Sequence, residues 1–378
     1  MTHLGQFFKY FLRSIDWPLM LLLLILSAIG LVVIYSAVGG AHWRYADQER
    51  HFILALVVLW LVAMTPPAWL AKLAVPFYLT VLVMLVGVEL FGETSKGATR
   101  WLNLGFMRIQ PSEMMKIAAP MMLAWYFQIR ERNITFFDYI IAAIVLLVPF
   151  TLIVKQPDLG TALLIMGSGL FVIFFAGLSF KIVMPLAVLV VLGLMSILYF
   201  EDVLCLPETK WVLLHDYQKG RVCTLLDPTK DPLAKGFHTI QSMIAVGAGG
   251  LTGRGYMSGT QTQLDFIPER TTDFIFAVFA EEFGLLGALT LLVLYALVIW
   301  RGLVIALRAN TQFGRLLAGA LTMVMFIYVF VNLGMVLGLL PVVGVPLPFF
   351  SYGGTALITL SVAFGILMSI SKHRKFAD

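Results

Sequence analysis

The stretch WPLMLLLLILSAIGLVVIYSAV, residues 17–38, contains no charged side chain. An α-helix of this length, rising about 1.5 Å per residue, covers a hydrocarbon core of about 30 Å. The polar residues that precede it include no cleavage site of a signal peptide, so we interpret the run as a retained membrane span. The stretch therefore predicts a helical membrane protein.

The whole chain has the same character. Of its 378 residues 60% are apolar and 12% are charged, with a mean hydropathy of +0.93, whereas about a quarter of the residues in soluble domains are charged. We predict an all-α polytopic membrane protein with about ten transmembrane helices, forming one integral-membrane domain over residues 1–378. The predicted spans are 17–38, 51–65, 70–91, 112–129, 136–154, 160–178, 181–200, 273–300, 315–339 and 350–371.

Lys and Arg predict the orientation. With the N-terminus inside, the short inner segments hold more of these residues than the short outer ones, so both termini are expected in the cytoplasm. The long loop from about 201 to 272, between the seventh and eighth spans, then faces outward. The net charge of +5 reflects this topology and not a nucleic-acid partner. Cys205 and Cys223 both fall in the outer loop, where a disulfide and two free thiols are equally compatible with the sequence.

Polar residues within an apolar chain are the candidates for function, because an ionisable group facing lipid costs several kcal/mol. In RIQPSEMMK, residues 108–116, Glu113 and Lys116 stand three residues apart on one helix face and can pair. They form either a buried salt bridge that fastens helices together or part of a site. Arg108, just before the helix, could hold a phosphate or contact lipid headgroups.

Two further stretches combine glycine with polar groups. In QPDLGTA, residues 156–162, Asp158 is placed to cap the sixth helix. The stretch GAGGLTGRGYMSGT, residues 247–260, resembles a phosphate-binding loop only weakly, because it lacks the Walker spacing. The segment TIQSMIAVGAGG before it is predicted to lie along the membrane surface.

The stretch PERTTDFIFAVFAEEFG, residues 268–284, carries three carboxylates into an apolar helix. Thr271 or Thr272 is predicted to cap that helix, which would place Asp273 in its first turn, where the helix dipole favours negative charge. Glu281 and Glu282 lie two to three turns further along and need partners or water. Helix packing and a water-filled groove are both open explanations for this pair.

One further stretch resembles the sequence signature of a known family. The stretch NLGMVLGLLPVVGVPLPFFSYGGTA, residues 332–356, resembles the signature of the SEDS family of cell-wall polymerases, which includes RodA, FtsW and SpoVE. The resemblance extends over nearly the whole chain, including KGATRWLNLG, QPSEMMK, QPDLGTA and TQTQLDFIPERTTDF. The last of these is similar to the elongation branch, that of RodA, more than to the division branch.

This resemblance implies ten spanning helices and a peptidoglycan glycosyltransferase that polymerises lipid II during elongation. Carried over residue by residue, Asp273 matches the family's catalytic aspartate. Glu113 and Lys116 match functional residues of the fourth helix, and Asp158 and Arg108 match as substrate-binding candidates. A division-type polymerase, another polyprenyl-linked sugar polymerase, a lipid II flippase and a scaffold that recruits a partner are the alternatives.

The implied reaction needs one base and no general acid, because the leaving undecaprenyl diphosphate is already a stable anion. Asp273 is the candidate base, and Arg108 and Lys116 are candidates for neutralising the diphosphate, with Glu113 orienting Lys116. Mg²⁺ or Mn²⁺ could assist there, although the spacing dictates no cage of oxygen ligands. Expected partners are lipid II, membrane lipid, a class B penicillin-binding protein and other elongation proteins. The expected location is the bacterial inner membrane, with the active site facing outward.

Overall fold

The computed structural model describes residues 15–40, 42–95, 98–103, 105, 108–206, 209, 216–227, 236–264 and 269–373. Its helices are α1 (Trp17–Ala37), α2 (His42–Ala63), α3 (Pro67–Phe91), α4 (Pro111–Ile129), α5 (Phe136–Lys155), α6 (Leu159–Phe175), α7 (Phe180–Tyr199), α8 (Glu201–Leu204), α9 (Asp216–Leu226), α10 (Phe237–Ala248), α11 (Thr260–Gln263), α12 (Ile275–Leu307), α13 (Gln312–Val336) and α14 (Gly354–Lys372). Each predicted span coincides with one of these helices. The predicted class of a polytopic helical membrane protein is confirmed.

The helices differ in length and in apolar composition. Within the described residues, six are long and apolar enough to cross a membrane, namely α1, α3, α5, α12, α13 and α14, and α6 is a shorter apolar helix. The second helix begins at His42, nine residues before the predicted start at 51. Its first turns, HWRYADQER, are polar, and hydropathy alone therefore missed them.

The core of the bundle lies around α4 and α13. Helix α4 packs against α3, α6 and α13, and α13 packs in turn against α6 and α12. Helix α14 packs chiefly against α2, and α1 against α12. Outward-facing apolar side chains such as Val83, Leu90 and Trp300 are more than two-thirds exposed, as suits contact with lipid tails.

A small antiparallel sheet, absent from the sequence prediction, joins α3 to α4. Its strands are β1 (Glu93–Ser95), β2 (Ala98–Asn103) and β3 (Arg108–Ile109), in the order β1-β2-β3. Glu93 lies opposite Trp101, and Asn103 lies opposite Arg108. We call the end of the bundle that carries this sheet the sheet end.

The glycine-rich stretch has a structural role that its sequence did not indicate. Helix α12 is interrupted at Gly284, whose φ of 64° is left-handed, and the segment 250–255 lies against the interruption. Arg254 N donates to the carbonyl of Glu281 at 3.0 Å, and Leu285 N donates to the carbonyl of Gly250 at 2.9 Å. These bonds satisfy backbone groups that the broken helix leaves free.

The rest of the loop before α12 also packs on the bundle. Helix α10 lies against α12 and α13 with its polar stripe inward, because Ser242 is buried and its hydroxyl bonds the carbonyl of Val336 at 2.9 Å. Its apolar Met243 and Ile244 are exposed. In an earlier part of the loop, Cys205 and Cys223 form a disulfide, which decides between the two states that the sequence left open.

Gly253→Ala should destabilise the fold. Gly253 has a φ of +82°, and an added Cβ would lie 2.0 Å from the carbonyl oxygen of Glu282, so we expect a loss of about 1–3 kcal/mol. Gly247→Ala is the control, because Gly247 lies in α10 with nothing within 4 Å of its added Cβ. Thermal unfolding in detergent measures both, and equal midpoints for the two variants would contradict the proposed packing.

Candidate active site

A buried ion pair lies between α4 and α13. Lys116 Nζ is 2.6 Å from Glu113 Oε1 and donates to the Tyr328 hydroxyl at 2.6 Å. All three side chains are buried. The predicted pairing on one helix face is therefore present, and Tyr328 is a third member that the sequence analysis did not find. Glu113 Oε2 has no hydrogen-bond partner among the described residues, so the group retains an unused acceptor.

A second charged pair lies at the start of α6. Asp158 caps this helix as predicted, accepting from Thr161 N at 3.3 Å. Arg100 of β2 approaches it, with Nε 3.8 Å from Asp158 Oδ2 and Nη2 donating to the carbonyl of Pro157 at 2.6 Å. Gln110, next to the start of α4, also donates to Asp158 at 3.3 Å. These bonds fix the start of α6 relative to the sheet and α4.

The sequence analysis predicted that Asp273 lies in the first turn of a helix, and this prediction was wrong. Helix α12 begins at Ile275, and Phe274 at its N-cap makes no side-chain capping bond. The hydroxyl of Thr272 instead bonds back to Glu269, at 3.2 Å from its carbonyl and 3.1 Å from its carboxylate. Asp273 therefore lies in a turn before the helix and is only partly buried, where the helix dipole acts on it less.

Asn332 of α13 holds this turn in place. Its Nδ2 donates to the carbonyl of Asp273 and to the carbonyl of Val345, both at 2.8 Å. Asn332 lies one helical turn after Tyr328, so α13 links the Asp273 turn to the buried ion pair. Among the described residues its Oδ1 has no hydrogen-bond partner.

Gly344 leaves space at the Asp273 carboxylate. A Cβ built on Gly344 would lie 3.3 Å from Asp273 Oδ2, and the glycine has a φ of +74° that other residues rarely adopt. The same loop contacts α6, since a Cβ on Gly160 would lie 2.8 Å from the carbonyl of Val343. Asp273 and Gly160, two residues after Asp158, thus both lie next to one loop, residues 343–345.

Glu281 and Glu282 have structural partners, which favours the packing explanation. Glu281 accepts from Gln261 N at 2.9 Å and Thr262 N at 3.3 Å, and so caps the short helix α11. Glu282 accepts from the hydroxyl of Ser36 in α1. The loop segment and α1 are thereby tied to the part of α12 before its interruption.

Arg108 is separated from these groups. It lies in β3 with 66% of its side chain exposed and pairs with Glu93 at 3.1 Å. Arg100, which the sequence analysis did not single out, is the arginine that reaches the polar groups. The two arginines lie in different strands, so the pairing of the strands decides which of them reaches α6.

Metal ligands do not converge in the described residues. No group of three or more His, Cys, Asp and Glu side chains there is arranged to hold a metal ion. The carboxylates of Glu113 and Asp158 have Lys116 and Arg100 as neighbours, which competes with a cation for them. Assistance by Mg²⁺ or Mn²⁺ stays a prediction that an assay with and without a chelator tests.

His238 of α10 lies beside the Asp273 turn. Its ring stacks on Phe274 with centroids 5.8 Å apart and an interplanar angle of 16°. Its Nδ1 is buried with no hydrogen-bond partner among the described residues. Burial lowers the pKa of His238, and the nearby Glu269 carboxylate opposes this shift.

The fold and the site together define a polytopic membrane protein with a charged, partly buried site at one end of its helices. The family model FTSW_RODA_SPOVE, described as cell cycle protein, matches residues 16–376. The chain belongs to this family.

Its relatives match over most of their length. Peptidoglycan glycosyltransferase MrdB of Escherichia coli strain K12 is 48% identical over 96% of this chain and 94% of its own. The solved structure titled "Structural coordination of polymerization and crosslinking by a peptidoglycan synthase complex" contains a chain that is 31% identical, with a TM-score of 0.78, covering 96% of this chain and 99% of that one. Rod shape determining protein RodA of Thermus thermophilus is 27% identical, with a TM-score of 0.69, over 95% of this chain and 97% of its own. The SEDS resemblance is confirmed.

Acidification should destabilise the contact between His238 and Phe274. Because the pKa of folded His238 is lowered, the unfolded chain binds the proton more readily, and stability is complete above about pH 6.5 and falls below it. His238→Phe keeps a stacked ring and removes the titration. The loss in unfolding temperature between pH 7.5 and 5.5 should therefore be smaller in His238→Phe than in the wild type, and equal losses would exclude His238 as the cause.

Proposed function

We propose that this chain polymerises lipid II into the glycan strands of peptidoglycan during cell elongation. It is a peptidoglycan glycosyltransferase. The observation that carries the proposal is the 48% identity to MrdB over 96% of this chain and 94% of that relative, which leaves no large region of either protein unmatched. A match of this extent spans the sheet end as well as the helices.

The reaction extends a sugar polymer by one glycosidic bond. The 4-hydroxyl of an acceptor N-acetylglucosamine attacks the anomeric carbon of a lipid-linked N-acetylmuramic acid, and the bond to undecaprenyl diphosphate breaks with inversion. The hydroxyl proton must pass to a base, whereas the leaving diphosphate needs cationic or hydrogen-bonding neighbours and no proton.

Asp273 is the proposed base. Its turn is held by Asn332, and Gly344 places no side chain against Oδ2. An ordinary aspartate has a pKa near 3.9 and is a weak base. The position before α12, outside its first turn, removes part of the dipole effect that would weaken it further.

The cations divide between two roles in this proposal. Arg100 is partly exposed beside Asp158 and is the guanidinium best placed to meet a diphosphate at the sheet end. Lys116 is enclosed by Glu113 and Tyr328, so it meets the diphosphate only if substrate enters between α4 and α13. Arg108 remains a proposed substrate contact, on the opposite face of the sheet.

The topology and partners follow from the same function. The chain is a multi-pass protein of the inner membrane; we propose that both termini are cytoplasmic and that the sheet end faces outward, where lipid II is polymerised. One of its structural neighbours comes from a complex of polymerisation and crosslinking. We propose that this chain likewise works with a class B penicillin-binding protein, and with other proteins of the elongation complex.

Asp273→Asn should fold normally and lose polymerisation. Removal of a general base costs about 10²–10⁴-fold in rate, and the amide retains the shape of the side chain. The measurement is glycan production by purified protein from lipid II, with and without the transpeptidase partner. Asp47→Asn is the control, because Asp47 is an exposed carboxylate paired with Arg50. Retained polymerisation would remove Asp273 from the mechanism, and lipid II transport without glycan product would make the chain a carrier.

Lys116→Gln tests whether the buried pair binds substrate or only fastens helices. The single variant leaves the Glu113 carboxylate unpaired and should lose about 3–5 kcal/mol of stability. The double variant Glu113→Gln/Lys116→Gln leaves no buried charge and should recover most of that loss. We expect the stable double variant to bind lipid II weakly and to turn over slowly. Wild-type affinity and turnover in it would limit the pair to a structural role.

A further inference from the structure

We propose that the solvent face of the three-stranded sheet binds the uncharged sugar backbone of the glycan strand that the proposed activity produces. A cavity of about 480 Å³ lies on this face, lined by Glu93, Thr94, Trp101 and Arg108. Pockets that hold small molecules measure about 300–1,000 Å³, a range that includes room for a disaccharide unit. The inference rests on the proposed function for the identity of its ligand.

The pairing of the strands separates this pocket from the candidate active site. Glu93 is opposite Trp101, Thr94 is opposite Thr99 across an irregularity in the pairing, and Arg108 is opposite Asn103, two residues from Trp101 in β2. Arg100 lies at this irregularity, does not line the pocket and reaches Asp158 instead. Strand β2 therefore has the pocket on one side and the charged groups at the start of α6 on the other.

The charges of the pocket favour uncharged sugar hydroxyls over a phosphate group. Glu93 Oε2 lies 3.1 Å from Arg108 Nε, so the guanidinium is already balanced by a carboxylate. Asn103 Nδ2 donates to Glu93 Oε1 at 2.8 Å and holds that carboxylate in place. A phosphate would have to displace Glu93 or lie beside it, which costs electrostatic energy. Sugar hydroxyls instead both donate and accept, and can use the carboxylate and the guanidinium together.

Trp101 supplies the apolar part of the pocket. An indole offers a broad flat surface, and the C–H face of a pyranose ring is the part of a sugar that packs against such a surface. The hydroxyl of Thr94 lies at the rim, bonded to Thr99 at 2.9 Å. An indole flanked by a carboxylate, a guanidinium and a hydroxyl complements an N-acetylated sugar, which has an apolar face and polar edges.

The position of the pocket indicates a function in retaining the glycan strand. It lies one β-strand away from Arg100 and Asp158, which are proposed to act on lipid II, at the same end of the bundle. A glycan strand that stays bound in the pocket after each addition remains attached to the enzyme. The pocket would thus lengthen the product made in one binding event, independently of the chemistry at Asp273.

Binding is tested on the full-length protein in detergent by calorimetric titration with tetra-N-acetylchitotetraose. Trp101→Ala should weaken binding by about tenfold, in keeping with one lost aromatic contact, and Trp101→Phe should retain most of it. Arg108→Gln, at an exposed position, provides a second variant if Trp101→Ala does not fold. The control is Trp43→Ala, which removes an exposed tryptophan outside the pocket that also lies beside an arginine, Arg44. No binding by the wild type, equal loss in Trp43→Ala, or displacement of the saccharide by inorganic phosphate would each overturn the proposal.

Product length supplies the second readout. Compared at equal consumption of lipid II, Trp101→Ala should release shorter glycan strands than the wild type, and Trp43→Ala should release strands of wild-type length. If the wild type makes glycan and Trp101→Ala strands keep their length, the pocket has no part in strand retention and the proposed activity stands. If the wild type makes no glycan from lipid II, the proposed activity fails, whatever the saccharide titration gives.

Discussion

A lysine ammonium enclosed by helices must be paired, and this requirement organises the sheet end of the bundle. Lys116 meets it with Glu113 on its own helix and Tyr328 on α13. Leaving either charge alone would cost several kcal/mol, so α4 and α13 are held at one separation and rotation. One turn further along α13, Asn332 fixes the turn that carries Asp273. The position of the proposed base is therefore connected, through one helix, to the buried pair.

The interrupted helix α12 supplies the other fixed point. Its break at Gly284 would expose backbone donors and acceptors to an apolar surrounding, and the glycine-rich segment 250–255 satisfies them. Glycine is needed there because the two backbones approach too closely for a Cβ, as the contacts of Gly253 show. Glu281 and Glu282 add bonds to α11 and α1 on the same side. Glu281 and Glu282 of this helix thus serve packing, and Asp273, the proposed base, lies in the turn before the helix.

The sequence analysis predicted the residue types of the site better than their surroundings. Glu113 and Lys116 were paired correctly because both lie on one helix, where spacing determines contact. Arg108 was chosen because it matches the family pattern, and only the pairing of the short strands shows that Arg100 is the arginine that reaches α6. Tyr328 and Asn332 were missed as members of the site, since both act on residues more than fifty positions away. The cap predicted at Thr271 or Thr272 was wrong because Thr272 bonds back to Glu269.

By itself the sequence determined the class of the protein, the approximate extent of its helices and its family, because long apolar runs and contiguous signatures are local properties of a chain. Only the tertiary structure decided that Asp273 lies ahead of α12 and that Cys205 bonds Cys223. It also decided that the glycine-rich segment hydrogen-bonds the backbone groups at the interruption of α12. It also decided that the sheet has two different faces, one toward Asp158 and one toward a pocket. These features depend on contacts between distant segments, and their energies come from hydrogen bonds and ion pairs that no local pattern records.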